Sequence, residues 1–132
     1  LPGPLAGQRE VWLDGGHNPH AARAIARQLN NMPGRTALVM AMLASKDATG
    51  YFMPFRQVRP EVFTLPNAPG HQGAEPQALT EAATNAGLKA AAYDSLEAAL
   101  KAAAATGVDR ILICGSLYLA GEVLAQNGEP PA

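Results

Sequence analysis

Apolar residues fall into five short runs, and segments with helical spacing separate them. The runs lie at residues 10–14, 36–42, 61–65, 89–93 and 110–114. Helical patterns follow at residues 19–31, 46–57, 76–86, 95–105 and 117–126. Regular alternation of strands with helices predicts a mostly parallel sheet covered by helices on both faces. We therefore expect a three-layer, Rossmann-like α/β domain.

Several residues mark where these elements begin. Asn18 followed by Pro19 is typical of a helix start, since Asn caps the first turn and Pro needs no hydrogen-bond acceptor there. Ser95 is expected to cap the fourth helix, and Glu75 precedes a proline at the start of the third. The fourth strand, at residues 89–93, is mostly alanine, which is poor strand chemistry.

Composition narrows the class of protein. The chain has 132 residues, 48% hydrophobic and 16% charged, which fits one soluble domain at 10–132 after a Pro- and Gly-rich lead-in at 1–9. A net charge of −1 leaves no basic footprint for nucleic acid or an anionic membrane. No apolar stretch is long enough to span a membrane. The single cysteine, Cys114, is expected to be a buried strand thiol, consistent with a reducing cytoplasm. Three methionines are expected to fill the core: Met40, Met42 and Met53.

The junction after the first strand carries the most suggestive chemistry. Asp14 ends the strand, Gly15 and Gly16 follow, and His17 precedes the helix start. Ligands of open α/β sheets bind at the carboxyl ends of the strands. Asp14 is therefore either a ribose ligand or a turn residue that bonds local amides. His17 is either an anion or nucleotide contact or a half-buried histidine at the helix mouth.

Two other junctions have candidate side chains. Lys46 follows the second strand, where it could meet a carboxylate or phosphate or simply be solvated in a first helical turn. Ser116 follows the fifth strand. It is either the cap of the last helix, a contact for a substrate carboxylate, or both. The chain has no G-x-G-x-x-G, no P-loop and no zinc spacing, so we expect no metal site and no stand-alone phosphate transfer.

Three segments resemble one known family. LDGGHNPHA at 13–21, MLASKD at 42–47 and CGSLYLAGEVL at 114–124 are similar to the C-terminal domain of bifunctional dihydrofolate synthase/folylpolyglutamate synthases, in the Mur ligase superfamily. The resemblance covers about residues 10–127. It departs from the family at Pro4, where the linker usually has an arginine.

The resemblance implies a reaction that the residues alone do not. ATP would phosphorylate a carboxylate of dihydropteroate or a folate, and L-glutamate would then attack the acyl phosphate. The P-loop and magnesium ligands would belong to a preceding ATPase domain, which this lobe would close over, in a monomeric enzyme. By similarity, Asp14 would contact the ATP ribose and His17 would lie near the nucleotide. Lys46 and Ser116 would hold the incoming glutamate, and no residue is assigned as catalytic.

Two other functions stay open. The chain could be a free-standing Rossmann-like module that binds a nucleotide or anion without catalysis, or a domain that serves as an interaction scaffold. In the ligase interpretation, the isolated chain is inactive and binds ATP at millimolar strength or weaker, because one or two anion contacts barely reach about 4 kcal/mol.

Overall fold

A five-stranded parallel sheet forms the centre of the molecule. The structure is a computed structural model that describes residues 10–14, 18–43, 47–67 and 73–115; of Glu10, Leu13 and Asp14 it describes the backbone alone. The strands are β1 (Glu10–Asp14), β2 (Thr36–Met40), β3 (Glu61–Thr64), β4 (Ala90–Ala92) and β5 (Arg110–Cys114). Their order across the sheet is β1-β5-β2-β3-β4, and every pair is parallel. The five predicted strands are therefore confirmed, although three are shorter than predicted.

Four α-helices connect the described strands. They are α1 (Pro19–Asn30), α2 (Ala48–Phe52), α3 (Pro76–Asn85) and α4 (Leu96–Ala105), and a 3₁₀ turn at Met53–Arg56 continues α2. The predicted helix at 117–126 lies outside the described residues.

The second helix differs most from its prediction. Residues 46–57 were predicted as one helix, whereas α2 begins at Ala48 and gives way to the 3₁₀ turn after Phe52. Asp47 caps the start, and its carboxylate accepts the Gly50 N–H at 2.9 Å. Pro54 lacks the N–H that a continuing α-helix would use at that position, which accounts for the change of helix type.

Apolar side chains pack on both faces of the sheet, as the fold class predicts. One cluster joins Leu38 and Met40 of β2 to α1, α2 and α3. The other joins Ala37 and Val39 of β2 to α4. Neighbouring residues of a strand point to opposite faces of the sheet, and both faces are covered here. Every residue of β2 and β5 is therefore buried. The three-layer α/β fold is thus confirmed.

The predicted interior is correct except at one methionine. Cys114, Met40 and Met42 are buried as predicted. Met53 was predicted to fill the core, but 42% of it is exposed. It lies two positions after Tyr51, about 200° around the helix axis, and therefore faces away from the apolar stripe formed by Tyr51, Phe52 and Phe55.

Candidate functional site

The carboxyl ends of the strands align along one side of the sheet, which we call the carboxyl edge. In the strand register, Asp14 is paired with Cys114, Cys114 with Met40, and Met40 with Thr64. Because the strands are parallel, the loops that follow all leave from this edge. Asp14 ends β1, whereas His17, Lys46 and Ser116 follow the ends of β1, β2 and β5, three adjacent strands of the sheet.

A glycine brings the chain after β5 against the chain after β2. Gly115 has φ +95°, a conformation that side chains disfavour, and a Cβ there would lie only 2.4 Å from the Ala41 carbonyl oxygen. Only glycine allows this approach without a shift of the backbone. Ser116 comes next in the chain, so Gly115 determines where the chain enters the predicted serine position.

The first turns of α1 and α2 also touch. Asn18 accepts the Ala21 N–H at 2.8 Å and thereby caps α1, as predicted. A Cβ at Gly50 in α2 would lie 3.0 Å from Cγ of Pro19 in α1. Backbone N–H groups at a helix start attract anions, and here two such starts are adjacent. His17 directly precedes Asn18, and Lys46 directly precedes Asp47.

A returning loop borders the segment after β2. The Ala74 N–H donates to the Met42 carbonyl oxygen at 2.8 Å, and Leu43 and Gly73 form an isolated antiparallel bridge. The sequence predicted a loop here, but not that its end returns to the strand that leads toward Lys46. Nothing in local spacing signals such a contact, because Leu43 and Gly73 are 30 residues apart.

The four predicted site residues are described to different extents. Asp14 is the last residue of β1, at the carboxyl edge, and only its backbone is described. His17, Lys46 and Ser116 lie outside the described residues. The structure therefore brings together the residues that flank them, and the contacts of the four side chains stay predictions.

Sequence reasoning missed the glycines that bring these segments together. Gly115 and Gly50 each occupy a space that a Cβ would fill. The available signal at Gly115 was its position between a buried strand and a capping serine. Glycine at such a junction often marks a close backbone contact.

Within the described ranges, no three His, Cys, Asp or Glu side chains lie together as metal ligands would. In the same part of the chain, no helix has the length and apolar character of a membrane span.

Known proteins were compared with the chain. The family described as "Mur ligase, glutamate ligase domain" matches residues 4–117. The dihydrofolate synthase/folylpolyglutamate synthase of Escherichia coli K12 is 31% identical over 118 residues, which are 86% of this chain and 27% of that protein.

Solved structures of similar enzymes have the same fold. Folylpolyglutamate synthase of Mycobacterium tuberculosis, complexed with ADP and AMPPCP, superposes with a TM-score of 0.83 at 24% identity, over 92% of this chain and 30% of that one. Escherichia coli FolC, in complex with DHPP and ADP, superposes with a TM-score of 0.76 at 28% identity, over 96% of this chain and 31% of that one. The Yersinia pestis enzyme with Mn, AMPPNP and L-glutamate bound superposes with a TM-score of 0.72 at 28% identity, over 96% of this chain and 31% of that one. The chain thus spans less than a third of the length of these proteins, and the predicted resemblance is confirmed.

Proposed function

This chain belongs to the glutamate ligase domain family of the Mur ligases, and from that premise we propose that it is one lobe of an ATP-dependent amide ligase. The reaction adds L-glutamate to dihydropteroate, to folates or to both. The lobe closes over a preceding ATPase domain of a monomeric, cytoplasmic enzyme. The relatives named above are dihydrofolate and folylpolyglutamate synthases, and their solved complexes contain adenine nucleotides and, in one, L-glutamate.

One observation carries the proposal: three neighbouring strand ends and two helix starts converge at the carboxyl edge. Gly115 presses the end of β5 against Ala41, while Pro19 and Gly50 bring the starts of α1 and α2 together. The dipole at the start of α1 favours an anion at this edge, whereas at the start of α2 the Asp47 carboxylate already accepts the Gly50 N–H. Phosphates and a substrate carboxylate are the anions that the proposed reaction requires.

We assign two roles along this edge. Asp14 accepts hydrogen bonds from the ATP ribose hydroxyls, and His17 lies beside the nucleotide. Lys46 and Ser116 hold a carboxylate of the incoming glutamate, the lysine as a point charge and the serine through its hydroxyl. Both pairs bind and orient substrates, and neither takes part in bond formation.

The chemistry proceeds in two balanced transfers. The γ-phosphoryl group of ATP passes to a carboxylate oxygen of the pterin substrate, and ADP leaves. The glutamate nitrogen then forms a bond to the acyl carbon. The bond between that carbon and the phosphate oxygen breaks, phosphate leaves with the electron pair, and the nitrogen loses a proton. A lobe that fixes the nucleotide and glutamate together converts their encounter into an intramolecular reaction.

Magnesium belongs elsewhere in this proposal. On the family resemblance alone, we assign the ion to the preceding ATPase domain, where it would shield the phosphate charges. The residues of this chain act on the ribose and the glutamate instead.

Steady-state kinetics of the complete gene product test these assignments. Asp14→Asn and His17→Ala should raise KM for ATP, whereas Lys46→Ala and Ser116→Ala should raise KM for glutamate. Each loss of a hydrogen bond to a charged group corresponds to about tenfold to hundredfold. Glutamate-dependent ADP release is the measurement.

The chain offers matched controls for three of these variants. Asp94→Asn, Lys101→Ala and Ser95→Ala change the same residue types at exposed positions away from the proposed contacts. These three should leave both KM values unchanged. Normal turnover in all four site variants would contradict the ligase roles and favour the scaffold interpretation.

Calorimetry with the isolated chain tests the half-site argument. One or two anion contacts correspond to millimolar ATP affinity or weaker. Micromolar binding would contradict a lobe that needs its ATPase domain, and would favour a free-standing nucleotide-binding module.

A further inference from the structure

A band of arginines lies on the outer surface of α1 and along the segment that ends the 3₁₀ turn. We call it the arginine band and define it by Arg23, Arg27, Arg56 and Arg59. All four are exposed. Within the described part of the chain, none of the four forms an ion pair. Their charge is therefore available to a ligand.

The surrounding charge is strongly asymmetric. Residues 18–43 and 47–60 contain five arginines but a single acidic residue, Asp47, and its carboxylate caps α2. Residues 61–67 and 73–115 contain six acidic and three basic residues. The protein as a whole carries a net charge of −1. A local positive band on a weakly acidic protein attracts a small anionic chain more than an extended nucleic acid.

The arginines border adjoining open grooves. One groove of about 800 Å³ is lined by Met53, Pro54, Arg56, Gln57 and Arg59. A second, of about 320 Å³, shares Pro54 and Gln57 with it and extends along α1 past Arg23, Arg27 and Asn30. The grooves are thus continuous, and Arg27 lies one turn from Arg23, so these two side chains are about 5–6 Å apart at Cβ.

The lining suits a peptide that carries carboxylates. The guanidinium group of arginine donates a bidentate pair of hydrogen bonds to a carboxylate. The amides of Gln57 and Asn30 can both donate to and accept from peptide groups. Met53, the exposed methionine, offers an apolar surface to methylene groups. A bare polyphosphate would use the arginines but neither the amides nor the methionine.

The band also begins close to the proposed site. Arg23 is five residues beyond Asn18, about 8 Å along α1 at 1.5 Å per residue. Since Asn18 is the cap at the carboxyl edge, a chain held at that edge reaches the first arginine after a short extension. Arg27 continues the path one turn further along α1.

We propose that the arginine band binds the growing γ-linked oligoglutamate tail of a folate substrate, a ligand with one carboxylate per glutamate. This inference rests on the proposed function, since that reaction makes such a tail. The band would hold tails already several glutamates long and would be irrelevant to a substrate with a single glutamate.

Fluorescence anisotropy tests binding directly. A labelled penta-γ-glutamate should bind the full chain, and a neutral oligoglutamine of equal length should not. Arg27→Gln and Arg56→Gln should each weaken binding about threefold, and the double variant about tenfold, as expected for exposed ion pairs. Lys101→Gln, an exposed charge on α4, is the matched control and should leave affinity unchanged.

Two results would overturn the proposal. One is equal affinity of the double variant and the unmodified chain. The other is competition by tripolyphosphate as effective as that by penta-γ-glutamate, since the band would then be a general anion surface. Thermal melting of each variant distinguishes lost binding from lost folding, and Arg56→Lys should restore part of the affinity.

Kinetics of the complete enzyme separate this proposal from the proposed function. The double variant should retain the unmodified kcat/KM for a monoglutamyl substrate and lose about tenfold for a tetraglutamyl one. Equal kcat/KM ratios in both enzymes would reject the arginine band while leaving the ligase intact. Absence of glutamate-dependent ADP release from the unmodified enzyme would instead reject the ligase itself.

Discussion

Strands β5 and β4 end at the same edge of the same sheet, but their surroundings differ. β5 lies between β1 and β2, and all five of its residues are buried. β4 is an outer strand of three alanines, of which Ala91 and Ala92 are exposed. β5 continues into Gly115, packed on Ala41, whereas β4 continues toward the exposed Asp94 and the cap Ser95. Two strands that share an edge can thus end in different surroundings, one packed against a neighbouring segment and the other exposed.

The glycines at the two regions give the largest expected contrast. Gly115→Ala should cost about 4 kcal/mol, since a left-handed conformation costs about 1–2 and overpacking against Ala41 about 1–3. Gly87→Ala, just before β4, has φ +87° but no atom within 4 Å of its Cβ. It should cost only the conformational part, about 1–2 kcal/mol. Urea denaturation measures both, and equal costs would contradict a crowded β5 end.

Core truncation gives the next contrast. Leu112→Ala in β5 should cost about 2–5 kcal/mol, because Leu112 is 3% exposed and packs in the cluster beneath α1. Ala91→Ser in β4 should change stability by less than about 0.5 kcal/mol, since that position is exposed. Thermal unfolding of the two variants gives the comparison, and a similar melting point for both would mean that β5 is less tightly packed than described.

Helix caps should give the smallest effects and no contrast. Asn18→Ala at α1 and Ser95→Ala at α4 each remove one cap hydrogen bond, of 2.8 and 3.1 Å. Each should cost about 1 kcal/mol. Equal costs in urea denaturation would sharpen the comparison, because the difference between the regions would then lie in packing rather than in local capping. A cost several times larger for Asn18→Ala than for Ser95→Ala would contradict this and would mean that Asn18 makes stabilising contacts beyond its cap hydrogen bond.

The fold was predictable because local chemistry and tertiary packing agree over most of the chain. Asn18 and Pro19 predict the start of α1, and the apolar run that ends at Cys114 is long enough to predict a buried strand. Even β4 was found, although its alanines favour other structures, because it occupies its expected place between α3 and α4. Alternation of elements therefore outweighed propensity.

The misprediction of Met53 came from residue type rather than from position. Methionine is a common core filler, but position 53 lies opposite Tyr51 and Phe55 on a helix, and Met53 is 42% exposed. It lines the groove that Arg56 and Arg59 border.

The candidate site was predictable only in outline. Strand ends and helix starts located the junctions at Asp14, Lys46 and Ser116 from the sequence. The close contact of Gly115 with Ala41 joins residues 74 positions apart, and no local pattern encodes it. The reaction and the roles of Asp14, His17, Lys46 and Ser116 came from family resemblance, and those roles stay predictions.

Residue-level mapping of ligand binding tests the central claim most directly. Backbone amide NMR shifts of this chain should be recorded while ATP and L-glutamate are added at millimolar concentration. The account predicts the largest shifts at residues 14–18, 42–47 and 115–116, where the ends of β1, β2 and β5 converge. Largest shifts at residues 93–96, after β4, or at 34–36, before β2, would contradict it.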